Sequence, residues 1–163
     1  MDKFWGELKD LNTERKPEDI LKEQFDILYK STNGVVIGRV DKYDQNIENI
    51  INNSIVSDMD FSFMTDDSAQ RYLGETDDSG VFTYEVYLSA KGIPNYKYRF
   101  MFIQHGLAPY PTKLIIEDNI TKELRYKGYV FECRDENVFI TLLAKILKTN
   151  RIMSIVSRLN TYK

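Results

Sequence analysis

Residues 81–104, VFTYEVYLSAKGIPNYKYRFMFIQ, decide the fold. The segments 81–89 and 96–104 each alternate apolar and polar side chains, which is the pattern of a half-buried β-strand. Between them Gly92 and Pro94 supply turn-forming residues. The stretch therefore predicts an antiparallel hairpin at the centre of the protein.

The alternation assigns the two faces of this hairpin. The predicted core face comprises Phe82, Tyr84, Val86, Leu88, Tyr98, Phe100 and Phe102. The other face comprises Thr83, Glu85, Tyr87, Lys97, Arg99 and Met101. Opposite charges meet there across the two strands, and such pairs contribute about 0.2–1 kcal/mol each. The same parity predicts that Ile103 and His105, the only histidine, also lie on this second face.

The chain before the hairpin predicts a helix and a strand. Apolar residues recur about every 3.6 residues over 17–31, which indicates a helix. Pro17 suits the first helical position, and Asn33-Gly34 ends the helix because both residues accept a left-handed conformation. The β-branched residues of 35–40 then predict a strand.

The chain after the hairpin predicts two strands and two helices. Residues 112–117 and 126–133 have the composition of strands. Asp135 suits the N-cap of a helix, and Thr149-Asn150 separates this helix from a last one. The apolar stripes of the two helices are Val138, Phe139, Leu142, Leu143, Ile146 and Leu147, and then Ile152, Ile155, Val156 and Leu159.

This order of elements predicts an α+β fold, with a mainly antiparallel sheet and with an N-terminal helix and two C-terminal helices packed on it. The length of 163 residues suits a single domain over 1–163. Residues 1–16 fit either a short amphipathic helix docked on the body or a frayed end. Residues 47–56 fit a helix or a strand, and residues 58–64 alternate as a strand does.

The overall charge is nearly balanced, with 22 Lys+Arg against 25 Asp+Glu and a net charge of -3. A protein that binds nucleic acid through its overall charge is therefore not expected. The single cysteine, Cys133, excludes an intramolecular disulfide and fits a reducing compartment. The first residues are too charged for a secretory leader, and no apolar run approaches the ~18 residues of a membrane helix. We expect a cytoplasmic protein that does not enter membranes.

Two roles are open for His105. It could act as a catalyst with Cys133 or a nearby carboxylate, because a catalytic histidine needs such a partner within hydrogen-bond reach. It could also simply end its strand before Gly106. We favour the second role, because the sequence contains no G-x-S-x-G nucleophile motif and a free cysteine is usually a small core residue. No catalytic residue is therefore assigned.

The sequence predicts neither a metal nor a cofactor. One histidine and one cysteine cannot form a zinc cage. The acidic stretch 58–78 has carboxylates that suit Ca²⁺ or Mg²⁺, but it lacks the register of an EF-hand. We therefore interpret it as a solvated loop, centred on 65–80. The eight glycines form neither a Walker loop nor a dinucleotide-binding motif.

The C-terminal helices are basic, because the chain carries no acidic residue from Leu142 to its end. The cations in this part are Lys145, Lys148, Arg151, Arg158 and Lys163. They could contact phosphates, which makes a nucleic-acid-associated regulator the alternative function. They could equally form a solvated helix face, which we favour.

Three stretches resemble parts of a group of small uncharacterised α+β proteins from low-GC Gram-positive bacteria and their phages or mobile elements. PEDILKEQFDILYKSTNGVVIGRV at 17–40 resembles their opening. YKYRFMFIQHGLAPYPTKLIIED at 96–118 and FECRDENVFITLLAKIL at 131–147 resemble their central hairpin and C-terminal part. The resemblance implies a bacterial or phage setting, where small acidic proteins without enzymatic motifs often bind another protein.

The 11 tyrosines and the acidic loop indicate a binding surface, because tyrosine buries a large area at low entropic cost. The predicted binding residues are Asp66, Asp67, Tyr72, Asp77, Asp78, Tyr87, Arg99 and Tyr110. We expect a non-catalytic accessory protein of the immunity, antitoxin, defence or anti-defence type. The expected partner is another protein, a toxin or a defence effector. A homodimer through the last helix stays open, although we favour stripes that are buried within the monomer.

Overall fold

The computed structural model describes residues 14–45 and 81–163. The predicted features at 1–13, 47–56 and 58–64 and the acidic loop at 65–80 lie outside the described residues. In chain order the elements are α1 (Pro17–Ser31), β1 (Val36–Lys42), β2 (Phe82–Ala90), β3 (Ile93–His105), β4 (Thr112–Ile116), α2 (Asp118–Glu123), β5 (Val130–Cys133), α3 (Glu136–Leu147) and α4 (Asn150–Leu159).

The described strands form one antiparallel sheet in the order β1-β2-β3-β4-β5. Each strand pairs with its neighbour in the sequence, and the central hairpin is β2–β3. The predicted α+β fold is confirmed, with its N-terminal helix, its antiparallel sheet and its two C-terminal helices. The predicted strand over 126–133 is shorter than expected, because Gly128 has φ 80° and β5 begins only at Val130.

Local sequence signals determine where the helices begin and end. Pro17 opens α1, and Asn33 with φ 53° and Gly34 with φ 79° follow its end in the left-handed conformation. The Asp135 carboxylate accepts a hydrogen bond from the Val138 amide at 2.9 Å, as expected of the N-cap of α3. Thr149 both separates the C-terminal helices and caps α4.

The helices and one face of the sheet share a single hydrophobic core. Buried side chains of α1, α3 and α4 belong to the same cluster as the inward side chains of the strands. Phe25 of α1 lies directly on Gly38 of β1, where an added Cβ would be only 2.2 Å from the phenyl Cδ1. The close approach of α1 to the sheet therefore requires glycine at this position.

A β-bulge interrupts the central hairpin. Val86 pairs with Met101, whereas the next residue, Tyr87, pairs with Arg99. Phe100 is therefore an extra residue on β3, and both Phe100 and Met101 are buried. A bulge of this kind reverses the alternation of side chains on the strand that carries it.

The bulge corrects part of the predicted face assignment. Tyr98 and Phe100 are buried as expected. Beyond the bulge the prediction is wrong, because Met101, Ile103 and His105 point into the core and Phe102 pairs with Glu85 on the opposite face. The strict period of two fails here, since two β3 residues, Phe100 and Met101, occupy the place of one at this bulge.

Candidate functional site

Two of the predicted binding residues, Tyr87 and Arg99, are direct partners across β2 and β3. They lie on the side of the sheet that faces away from the core. We define the open face as this side of β1, β2 and β3, which includes Asp41, Tyr43, Glu85, Tyr87, Lys97, Arg99 and Phe102. Charges and aromatic rings alternate on it, as the sequence predicts for Glu85, Lys97 and Arg99.

Arg99 lies at the centre of the open face. Its guanidinium carbon is 4.8 Å from the ring centroid of Phe102 and 5.4 Å from that of Tyr43. The two rings are themselves 4.9 Å apart, and Glu85 accepts a hydrogen bond from the guanidinium at 3.1 Å. Cation–π contacts and a carboxylate together restrict the rotamers of an arginine whose side chain is still 39% exposed.

Lys97 and Tyr87 form a second part of the open face. The Lys97 ammonium donates to Glu85 at 2.6 Å and lies 4.2 Å from the Tyr87 ring centroid. The Tyr87 hydroxyl donates to Asp41 at 2.6 Å. Burial and this hydrogen bond raise the pKa of Tyr87 to about 12. The hydroxyl is therefore a hydrogen-bond donor at neutral pH and not a base.

His105 lies on the other side of the sheet, in a buried ion pair. Its Nε2 is 3.0 Å from Glu18 Oε1, and its Nδ1 is 2.7 Å from the carbonyl oxygen of Gly106. A carbonyl and a carboxylate can only accept, so both ring nitrogens donate and the imidazole is positively charged. The side chains of His105 and Glu18 are 4% and 6% exposed.

The pKa values of this pair agree with its geometry. Burial alone raises the pKa of Glu18, but hydrogen bonds from His105 and Tyr84 outweigh it and lower the value to about 2. Burial alone lowers the pKa of His105, yet the hydrogen bonds to Glu18 and Gly106 raise it above 6.5. Both shifts favour the ionised pair, which connects α1 to the end of β3.

This arrangement bears on the catalytic role considered for His105. Both ring nitrogens are engaged, so neither has a free lone pair with which to accept a proton. An open cleft of about 300 Å³ borders His105, and its described lining holds no serine, threonine or cysteine. Cys133 is fully buried, and burial with nearby Asp135 and Glu132 raises its pKa to about 11. We therefore keep the interpretation that His105 is structural.

The other predicted binding residues have different positions. Tyr110 is buried, with 8% exposure, and its hydroxyl donates to the Arg15 carbonyl at 2.8 Å. The prediction that Tyr110 lies on the surface is therefore wrong, because its ring packs against Phe139 in the core. Five predicted residues lie outside the described part of the chain, namely Asp66, Asp67, Tyr72, Asp77 and Asp78.

The sequence contains a signal that could have predicted the burial of Glu18. With Leu21 and Phe25 it follows the i, i+3, i+7 spacing of the buried stripe of α1. An acid on an apolar stripe requires a buried partner, and the only histidine is the natural candidate. The reversal at Phe100, in contrast, has no local sequence signature.

The C-terminal cations divide into two groups. Arg151 donates from Nε to the Tyr98 hydroxyl at 3.2 Å and from Nη2 to Glu117 Oε1 at 3.4 Å. Its guanidinium is therefore engaged within the fold. The exposed cations of this end are Lys145, Lys148, Arg158 and Lys163. Within the described residues, no cluster of three possible metal ligands exists and no helix has the length and apolarity to cross a membrane.

Comparison with known proteins gives no match of this chain to any family model, curated protein or solved structure.

Proposed function

We propose that this protein is a non-catalytic binding protein that engages another protein through the open face. The observation that carries the proposal is the geometry of Arg99, held by Phe102, Tyr43 and Glu85 yet partly exposed. Arginine and tyrosine are the residues most enriched at the energetic centres of protein interfaces. The engaged nitrogens of His105 and the buried Cys133 support the absence of catalysis.

Pre-organisation strengthens this proposal. Ordering a free arginine or lysine on binding costs about 0.5–1.5 kcal/mol in rotamer entropy. Lys97 and Arg99 are already ordered by Glu85 and by the rings beneath them, so most of this cost is met during folding. The Arg99 fork suits a carboxylate or a backbone carbonyl on the partner.

The class of partner belongs to the proposal as well. A toxin or defence effector of a bacterium or phage is supported by the resemblance of 17–40, 96–118 and 131–147, and a cytoplasmic location by the single cysteine. We treat the protein as a monomer, because Ile152 and Leu159 of α4 are buried within its own core. Light scattering after size-exclusion chromatography that gives a concentration-dependent mass would contradict the monomer.

A capture experiment tests the proposal. The full chain and its Arg99→Ala and Tyr87→Phe variants serve as baits in lysate of a host cell, and captured proteins are identified by mass spectrometry. We expect the unaltered chain to capture one protein, and the Arg99→Ala bait to recover at least tenfold less of it. Residues at the centre of an interface contribute about 2 kcal/mol or more to the free energy of binding. Lys127→Ala, in the exposed turn before β5, is the matched control. Equal recovery of the partner by the Arg99→Ala variant and by the unaltered chain would contradict the proposal.

The alternative is a nucleic-acid-associated regulator. It is supported by the exposed cations Lys145, Lys148 and Arg158, which make no ion pair within the described part of the chain. It predicts DNA or RNA binding that falls steeply as salt rises. The engagement of Arg151 with Glu117 and Tyr98 leaves one cation fewer for phosphates, so this alternative ranks second.

A further inference from the structure

A groove separates β5 from α3, and we infer that it binds an extended peptide segment of a partner protein by β-strand addition to β5. We call it the β5–α3 groove. It has a volume of about 460 Å³, and its lining includes Phe131 and Glu132 of β5 and Val138, Thr141, Leu142 and Lys145 of α3. It lies apart from the open face, so the inference is independent of the proposed function.

The outer edge of β5 offers backbone groups that no described residue pairs with. β5 is the last strand of the sheet, and no described strand lies beyond it. The Ile116 amide donates to the Tyr129 carbonyl at 2.8 Å, so alternate residues from Tyr129 onward point their backbone groups at β4. The N–H and C=O groups of Val130 and Glu132 consequently point outward, in the geometry that an added strand requires.

The other edge of the sheet is protected only in part, because Gly38 and Val40 also have outward backbone groups. Every second residue of β1, starting with Val36, has backbone groups that point away from β2. The Val36 amide donates a hydrogen bond to the Thr32 hydroxyl at 3.1 Å. Charged side chains follow in the second half of β1, at Arg39, Asp41 and Lys42. Charges at a sheet edge oppose the addition of another strand. β5 differs from β1 in lying beside the β5–α3 groove, and this groove identifies β5 as the edge suited to pairing.

Side chains of α3 provide the wall of the groove. Three side chains of α3 are almost fully buried in the core, namely Phe139, Leu143 and Ile146. Val138 and Leu142, one turn apart on the adjoining stripe, pack against this core but remain half-buried, and they also line the groove. α3 therefore carries a wide apolar arc whose outer part is still accessible, and this part faces the position of alternate side chains on an added strand.

These features specify the chemistry of the occupant. The outward groups of β5 require an extended backbone, and the apolar walls require valine- or leucine-sized side chains at alternate positions. Lys145, which has no ion-pair partner in the described part of the chain, favours a carboxylate on the segment. A second copy is disfavoured, because stable dimers bury about 800 Å² per partner and β5 has only 4 residues.

The test uses the ¹⁵N-labelled full chain and the probe acetyl-Asp-Thr-Val-Ser-Leu-Thr-Val-Asp-amide at roughly millimolar concentration. We expect the amide signals of Val130 and Glu132 to shift and to show cross-strand contacts with the probe. A probe N-methylated at its central backbone nitrogens should bind about tenfold more weakly, because it lacks the paired donors. Lys145→Gln should weaken binding of the unmodified probe severalfold.

Glu132→Pro removes an outward N–H of β5 that is not paired with β4, and it should also weaken binding about tenfold. Lys42→Pro on the opposite edge is the matched control and should not change binding. The N-methylated probe needs no variant, so the test stands even if a proline variant fails to fold.

Three results would overturn the inference. The first is equal binding of the normal and N-methylated probes, or none at all. The second is contacts between residues 1–13 and Val138 in the free protein, which would mean an internal occupant. The third is shifts at Val130 and Glu132 that depend on the concentration of the protein alone, which would indicate a second copy.

Discussion

Glu18 and Glu85 lie on opposite faces of the same sheet, and each carboxylate contacts cationic side chains. Glu18 meets a histidine that is 4% exposed, at 3.0 Å. Glu85 meets Lys97 at 2.6 Å and Arg99 at 3.1 Å, but these cations are 43% and 39% exposed. The same pairing therefore stabilises α1 on the sheet in one place and displays charge in the other, because solvent access differs.

The largest expected effect comes from breaking the buried pair. His105→Ala leaves the Glu18 carboxylate buried without its cation, and removing one partner of a buried pair costs about 3–5 kcal/mol. Urea unfolding followed by circular dichroism measures this loss in the free energy of unfolding. Lys97→Ala, the matched change on the open face, should cost less than about 1 kcal/mol, because Lys97 is 43% exposed and the buried Glu85 keeps its pair with Arg99. Equal losses in the free energy of unfolding for the two variants would contradict the distinction between the two faces of the sheet.

The pH dependence of stability should follow the buried pair. The pKa of Glu18 is lowered from 4.5 to about 2, so its contribution is complete above pH 4.5 and is lost as the pH falls towards 2. This loss amounts to about 3 kcal/mol. The pKa of His105 is raised above 6.5, so its contribution is complete below pH 6.5 and is lost as the pH rises through the folded value.

Urea unfolding of the unaltered chain across this range should therefore show the pair's full stabilisation between pH 4.5 and 6.5. The double variant Glu18→Gln/His105→Gln removes both titrating groups and should flatten the profile on both sides. An unchanged profile in the double variant would show that other groups control the pH dependence.

A substitution on the open face should affect stability less than the loss of the buried pair does, and it should affect binding more. Arg99→Lys retains the charge but loses the planar fork that lies over Phe102 and Tyr43. We expect the free energy of unfolding to change by about 0.5 kcal/mol or less, as for most surface substitutions. Recovery of the captured partner should nevertheless fall. A variant that loses stability and keeps its partner would reverse the roles assigned to the two faces.

The smallest effect concerns Tyr87 and Asp41. Burial and the hydrogen bond to Asp41 raise the pKa of Tyr87 to about 12. Asp41→Asn removes the negative charge, so this pKa should fall, as followed by the NMR signals of the tyrosine ring. The pKa of Tyr84, raised to about 12 by burial and by Glu18, is the internal control and should not move. A shift of both tyrosines would indicate a general change of the sheet.

Much of the fold could be predicted because its signals are local. The period of α1, the caps at Asn33-Gly34 and Asp135, and the hairpin β2–β3 each depend on neighbours in the sequence. The open face was predictable for the same reason, since Glu85 and Tyr87 lie on β2, which keeps its alternation, and Lys97 and Arg99 precede the bulge on β3. Tyr110 could not be placed, because its burial depends on contacts with Phe139 and Arg15 far along the chain.

The sequence by itself determined the order of elements apart from the short helix α2, the antiparallel sheet and the charged face around Tyr87 and Arg99. Only the tertiary structure decided the side of the sheet on which His105 lies. One additional residue at Phe100 reverses the alternation of β3, and both Phe100 and Met101 are buried in the core to which α1, α3 and α4 also contribute. The same reversal brings His105 to Glu18, a pairing 87 residues apart in sequence that no local periodicity can encode.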